Sequence, residues 1–131
     1  MSRVLIIDDD PTFGDRAASC LQHAGIFARF HKGPFGSLHA IRETGCDIVL
    51  VDVDMPRLDG GLLVKMIREA YGLGRTRIML VADKHDEELR ELAAIVGAHG
   101  YVSKSASSAV LVERVLGLGA QRVARPLTEL V

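Results

Sequence analysis

No apolar stretch in this chain approaches the ~18 residues that a membrane span needs, so a spanning helix is not expected. The opening Met1-Ser2-Arg3 runs straight into a short apolar segment that ends at Asp8. It lacks the longer apolar region and small-residue cleavage site of a secretory leader, and a cytoplasmic protein is expected. Charge of one sign is also missing: 16 basic and 17 acidic residues leave a formal net charge of −1. That balance argues against direct nucleic-acid binding, which shows as a basic patch and high pI, and against a polybasic membrane signal. Cysteine is scarce. Cys20 and Cys46 sit in apolar company without CxxC or Cys/His metal spacing, and read as small buried hydrophobes in a reducing compartment. Special electrostatics in such a chain must be local.

The 131 residues fit one domain, and 48% apolar content is enough to fill a core. Short apolar runs recur at even spacing: Val4–Ile7, Ile26–Phe30, Ile48–Val51, Ile78–Val81 and a weaker Tyr101-Val102. The first, third and fourth are continuous and rich in β-branched residues, the pattern of strands covered on both faces. Helical periodicity fills the intervals. Pro11 to Ala24 follows an N-cap Asp10 and places Phe13, Ala17, Cys20, Leu21 and Ala24 on one stripe. Further helices are predicted over Pro34–Thr44, Gly61–Tyr71 (stopping at Gly72), Asp86–Val96 and Ser107–Leu118. Five strand–helix units predict an α/β fold, a doubly wound five-stranded parallel sheet with right-handed crossovers. Residues 1–118 form the expected domain, and 119–131 a C-terminal tail or linker.

In such a sheet, ligands bind beyond the carboxyl ends of the strands. The first strand ends in Asp8-Asp9-Asp10, the third in Asp52-Val53-Asp54 and the fourth in Ala82-Asp83, and Ser103-Lys104 follows the fifth. Carboxylates within ~4–6 Å of one another resist ionisation unless a cation neutralises them, and hard oxygen donors suit Mg²⁺, Mn²⁺ or Ca²⁺. Unrelated helix caps and solvated loop ends would be the plain explanation of these acids. Lys104 adds to the other reading, because a carboxylate nucleophile, a divalent metal and a lysine are the parts that phosphoryl transfer needs.

The segment Val4 to Pro11 resembles the opening of response-regulator receiver domains. Asp47 to Gly60 is similar to that family's phosphoacceptor segment, with Met55-Pro56 and Asp59-Gly60 at the usual offsets, and Gly97 to Lys104 resembles the segment carrying its lysine. The match runs over residues 3 to 118 in the right order. It implies a flavodoxin-like (βα)5 fold and a phosphoacceptor signalling domain rather than an enzyme in the ordinary sense. Asp52 would take a phosphoryl group from a histidine kinase, a phosphotransfer protein or a small donor. Asp8, Asp9, Asp52 and the backbone carbonyl of Asp54 would hold Mg²⁺ or Mn²⁺. Lys104 and Ala82 would border the phosphoryl group, and Val81 and Tyr101 would occupy the switch positions. A homodimer and a downstream DNA-binding domain in a longer chain fit the family. Arg125 to Leu130 vaguely resembles the linker into a LuxR-type effector.

Two departures stand out. Val81 replaces the family's Ser or Thr and removes a charge-assisted hydrogen bond worth about 1.5–3 kcal/mol. Ser105 replaces a proline that is usually preceded by a cis bond, and a cis bond before another residue costs ~2.5–4 kcal/mol, so a trans, differently shaped loop is expected. These departures motivate a second reading, a receiver-like interaction module that works without phosphate. A third, a haloacid-dehalogenase-type phosphohydrolase, rests on Asp52-x-Asp54. It is disfavoured because that motif there opens the first strand of a larger chain. His23, His31, His39, His85 and His99 show no ligand spacing and are expected at the surface or core edge.

Overall fold

The computed structural model describes residues 2–71 and 76–124, the last four by backbone alone. Five strands, β1 (Arg3–Asp8), β2 (Phe27–Lys32), β3 (Ile48–Asp52), β4 (Arg77–Ala82) and β5 (Gly100–Ser103), alternate with helices α1 (Pro11–His23), α2 (Ser37–Thr44), α3 (Gly60–Tyr71), α4 (Asp86–Val96) and α5 (Ser108–Ala124). All strand pairs are parallel, in the order β2-β1-β3-β4-β5. The expected doubly wound, flavodoxin-like sheet is present.

The continuous apolar runs are explained by two cores. Because side chains alternate along a strand, Val4, Ile6, Ile48, Leu50, Met79 and Val81 point to one face, against α1 and α5. Leu5, Ile7, Val49, Val51, Ile78 and Leu80 point to the other, against α2, α3 and α4. A fully buried Leu or Ile contributes roughly 1.5–3 kcal/mol, so both faces favour the same strand register.

Several boundaries differ from the sequence expectation. β2 starts one residue later and runs two further, since Ile26 is a buried residue of the preceding turn. α2 begins at Ser37 and not Pro34, because the left-handed Gly36 (φ 80°) breaks the turn ahead of it. Ala24 caps α1 from outside the stripe. α5 does not stop at Leu118 but continues through Ala124, so residues 119–124 carry helix where a tail was expected. Gly72 and the segment 125–131 lie outside the described residues. Asp10 caps α1 as predicted, its side chain accepting from the Thr12 amide at 3.0 Å.

Candidate functional site: the acidic rim

Strand order reverses at β1, between β2 on one side and β3 on the other, and β1 and β3 deliver Asp8 and Asp52 to the same rim. Both carboxylates sit on the strand face that also carries Ile6 and Leu50, and both are buried, at 1% and 5% exposure. Buried carboxylates need partners. One oxygen of each is tied to its own loop: Asp8 Oδ1 accepts from the Asp10 amide at 2.8 Å and Asp52 Oδ1 from the Asp54 amide at 3.1 Å. The other oxygens face Lys104 from the end of β5, with Nζ at 2.8 Å from Asp8 Oδ2 and 3.4 Å from Asp52 Oδ2. The Asp8 contact has ion-pair distance without hydrogen-bond alignment.

The rim's backbone is held as closely. The Val53 amide donates to Val81 O and the Lys104 amide to Ala82 O, both at 2.9 Å, which binds the ends of β3, β4 and β5 together. At Gly60 a Cβ would stand 2.7 Å from Asp52 O and from the Val53 Cα, so only glycine lets α3 start this close to the Asp52 backbone. Gly33, at φ 81°, turns the chain after β2 so that its amide reaches Asp8 O at 2.8 Å. Asp9, Asp10, Asp54 and Asp83 complete the border of a cleft of about 270 Å³, and Lys84 Nζ stands 3.9 Å from Asp54 Oδ2. A larger concavity of about 840 Å³ lies between α1 and α5, where no carboxylates converge.

Burial and the neighbouring Asp8 carboxyl push the Asp52 pKa up to about 6, against the pull of the Asp54 amide and Lys104. Burial alone would lower the Lys104 pKa, but Asp8 and Asp52 outweigh it and hold the ammonium above the ordinary lysine value. Without a metal ion, the rim therefore keeps a firm cation beside a carboxylate that titrates at about 6.

Asp9 Oδ2 is a buried oxygen that accepts no hydrogen bond, and Asp8 Oδ2 has only its ion pair with Lys104, which leaves acceptor capacity for a hard cation. Among the described residues, no three His, Cys, Asp or Glu side chains are already drawn around one point as a metal would require. Ala82 is fully buried beside Val81 at the end of β4. Tyr101 is half-buried against the α2–α4 core, under the Arg114 guanidinium at 5.0 Å. Arg114 also donates to Tyr101 O at 2.6 Å and pairs with Asp86 at 3.2 Å.

Sequence reasoning missed Phe13 and Arg16 as neighbours of this rim. Phe13 lies below Lys104 (Nζ to ring centre 5.2 Å), and Arg16 Nη2 donates to the Lys104 carbonyl at 2.8 Å. No local signal announces contacts across 88 residues of chain. The Lys104–Ser105 loop is trans, as all described peptide bonds are, and closes through Ser103 Oγ, which accepts from the Ser105 amide at 3.2 Å.

The sequence profile of the response regulator receiver domain matches residues 4–116. The chain belongs to that family. Protein PilG of Pseudomonas aeruginosa is 29% identical over 115 residues, covering 88% of this chain and 82% of PilG. The transcriptional activator protein IrlR of Burkholderia pseudomallei is 28% identical over 128 residues, covering 98% of this chain and 55% of IrlR. This receiver domain spans about half the length of several curated relatives it matches. A putative response regulator from Chloroflexus aurantiacus superposes with a TM-score of 0.80 at 26% identity, covering 92% of this chain and 99% of that one. The receiver domain is thus a two-component signalling module. No described helix is long and apolar enough to cross a membrane.

Proposed function

We propose that this receiver domain accepts a phosphoryl group on Asp52 and that the modification changes which partner it binds. The observation that carries the reading is the meeting of Asp8, Asp52 and Lys104 at the strand-order reversal, with Lys104 2.8 Å from one carboxylate and 3.4 Å from the other. Asp52 Oδ1 is held by the Asp54 amide, which orients Oδ2 toward the cleft as the attacking oxygen. Attack on phosphorus forms the acyl phosphate while the bond to the donor breaks, P–N for a phosphohistidine or P–O for a small acyl phosphate. The donor's leaving group departs with that electron pair. Lys104 neutralises phosphoryl oxygens as their charge develops. Asp52 must be ionised to attack; burial and Asp8 hold its pKa up at about 6 in the metal-free site, and a bound divalent cation would favour the ionised form.

Asp8, Asp9 and Asp52, with the carbonyl of Asp54, would hold Mg²⁺ or Mn²⁺; the unpartnered Asp9 Oδ2, beside an Asp8 Oδ2 that meets only the Lys104 ammonium, supports this donor set. Such an ion, when bound, supplies charge neutralisation at the phosphoryl oxygens. The family likeness supports a histidine kinase or phosphotransfer protein as donor, a cytoplasmic setting, and an output through a homodimer or a DNA-binding domain in a longer chain.

Acetyl phosphate with Mg²⁺ should add one phosphoryl group to the intact mass, and Asp52→Asn should abolish the gain. No gain in the unmodified protein, or a gain that survives Asp52→Asn, overturns the reading.

A further inference from the structure

Lys104 sits at the end of a four-residue strand and just ahead of the loop into α5, with its side chain 18% exposed. Its ammonium must nevertheless stay between two carboxylates. Two contacts from α1 bear on that position. The Arg16 guanidinium donates to the Lys104 carbonyl at 2.8 Å, and both cations lie over the one buried Phe13 ring, Lys104 Nζ at 5.2 Å and the Arg16 guanidinium carbon at 5.4 Å. Cation–π attraction and a charge-assisted bond to a carbonyl act in the same direction, drawing the Lys104 backbone toward α1.

This geometry matters because nothing else in the loop holds the Lys104 carbonyl itself. The Lys104 amide is fixed to Ala82 O and the Ala106 amide to Ser103 O at 3.0 Å, but Ser105 between them is tied through Ser103 Oγ, to its amide at 3.2 Å and its hydroxyl at 2.9 Å. Serine has free φ, and hydroxyls exchange readily with water. A lysine whose carbonyl drifts carries its long side chain away from Asp8 and Asp52.

We infer that Arg16 is a positioning residue for the phosphoryl-transfer site, holding the Lys104 carbonyl so that the ammonium, over Phe13, faces the Asp8–Asp52 cleft. The inference rests on the phosphoacceptor reading above. Arg16 touches neither carboxylate, so it acts only through Lys104.

Beryllofluoride with saturating Mg²⁺ probes the site at equilibrium without turnover, and its affinity is read by ¹⁹F NMR. Arg16→Gln should weaken it roughly fivefold, the size of one ordinary hydrogen bond, while Mg²⁺ affinity alone, by calorimetry, changes less than twofold. Arg16→Lys, which keeps a cation and a donor over Phe13, should restore most of the loss. In a Lys104→Met background, Arg16→Gln should have no further effect, because the residue it serves is gone. The inference is overturned if Arg16→Gln binds beryllofluoride as the unmodified protein does, or if it costs the same fivefold in the Lys104→Met background. If the unmodified protein itself takes no beryllofluoride, the phosphoacceptor reading falls, and this inference falls with it.

Discussion

The ends of β1 and β3 differ from the end of β4, although all three open onto one cleft. At β1 and β3 the terminal side chains are buried acids, each with one oxygen on a backbone amide and the other facing Lys104. At β4 the terminal side chains are apolar. Val81 is 1% exposed and packs with Ile6, Leu50 and Val102, and Ala82 is fully buried. The first region has the parts to receive a phosphoryl group. The second lacks the hydroxyl that would follow its oxygens. On the proposed reading, chemistry and coupling would be separable in this fold, since they would depend on different strands of one sheet.

The largest expected effect falls on the charged side. Lys104→Met should slow acetyl phosphate-driven phosphorylation about 100-fold or more, the scale of losing one preorganised charge partner, followed as intact mass against time. A loss under about fivefold would mean that the carboxylates manage the phosphoryl charge without the ammonium, and the contrast with β4 would lose its basis.

Next comes pH. The Asp52 pKa of about 6 in the fold exceeds the ordinary 3.8. The folded state therefore holds this proton more tightly than the unfolded chain does. The stability that the proton confers is fully present below about pH 4 and is lost as pH rises through about 6. The loss is roughly 3 kcal/mol. Asp52→Asn should melt higher than the unmodified protein at about pH 7 and at nearly the same temperature at about pH 4, in paired thermal scans. Equal melting at both pH values would show that the carboxylate is not strained by its burial.

Val81→Thr tests the apolar side directly. Restoring the hydroxyl should raise the beryllofluoride-induced change at Tyr101 about tenfold in coupling, for about 1 kcal/mol of stability, since Val and Thr share a shape but not a polarity. The chain has no tryptophan and two tyrosines, so tyrosine emission in a Tyr71→Phe background reads the residue at 101. No gain would show that the deficit lies elsewhere in the β4–β5 region. The smallest effect belongs to Arg114→Gln, which frees Tyr101 O and Asp86. With the ion pair exposed, the melting free energy should fall by only about 0.5–1 kcal/mol.

Much of this was legible from residues alone, for physical reasons. Continuous β-branched runs encode strands covered on both faces, and the two cores against α1/α5 and α2–α4 are that pattern realised. Asp10-Pro11 encoded a cap that the Thr12 amide confirms. Less was legible at boundaries such as α5, where a helix expected to end at Leu118 runs on through Ala124 and carries Gly117 and Gly119 inside it. Packing of Leu111, Val115 and Leu118 on the sheet outweighs the glycine penalty there.

The sequence by itself determined the alternation of strands and helices, the acids that close β1 and β3, and the lysine that follows β5, because periodicity and strand ends are local properties of the chain. Only the tertiary structure decided that β1 and β3 lie side by side, that Lys104 stands between residues 8 and 52, and that Arg16 reaches the Lys104 carbonyl. Those meetings join residues far apart in the chain. They are set by which faces bury together, a property of the whole sheet and its two helical layers rather than of any one segment.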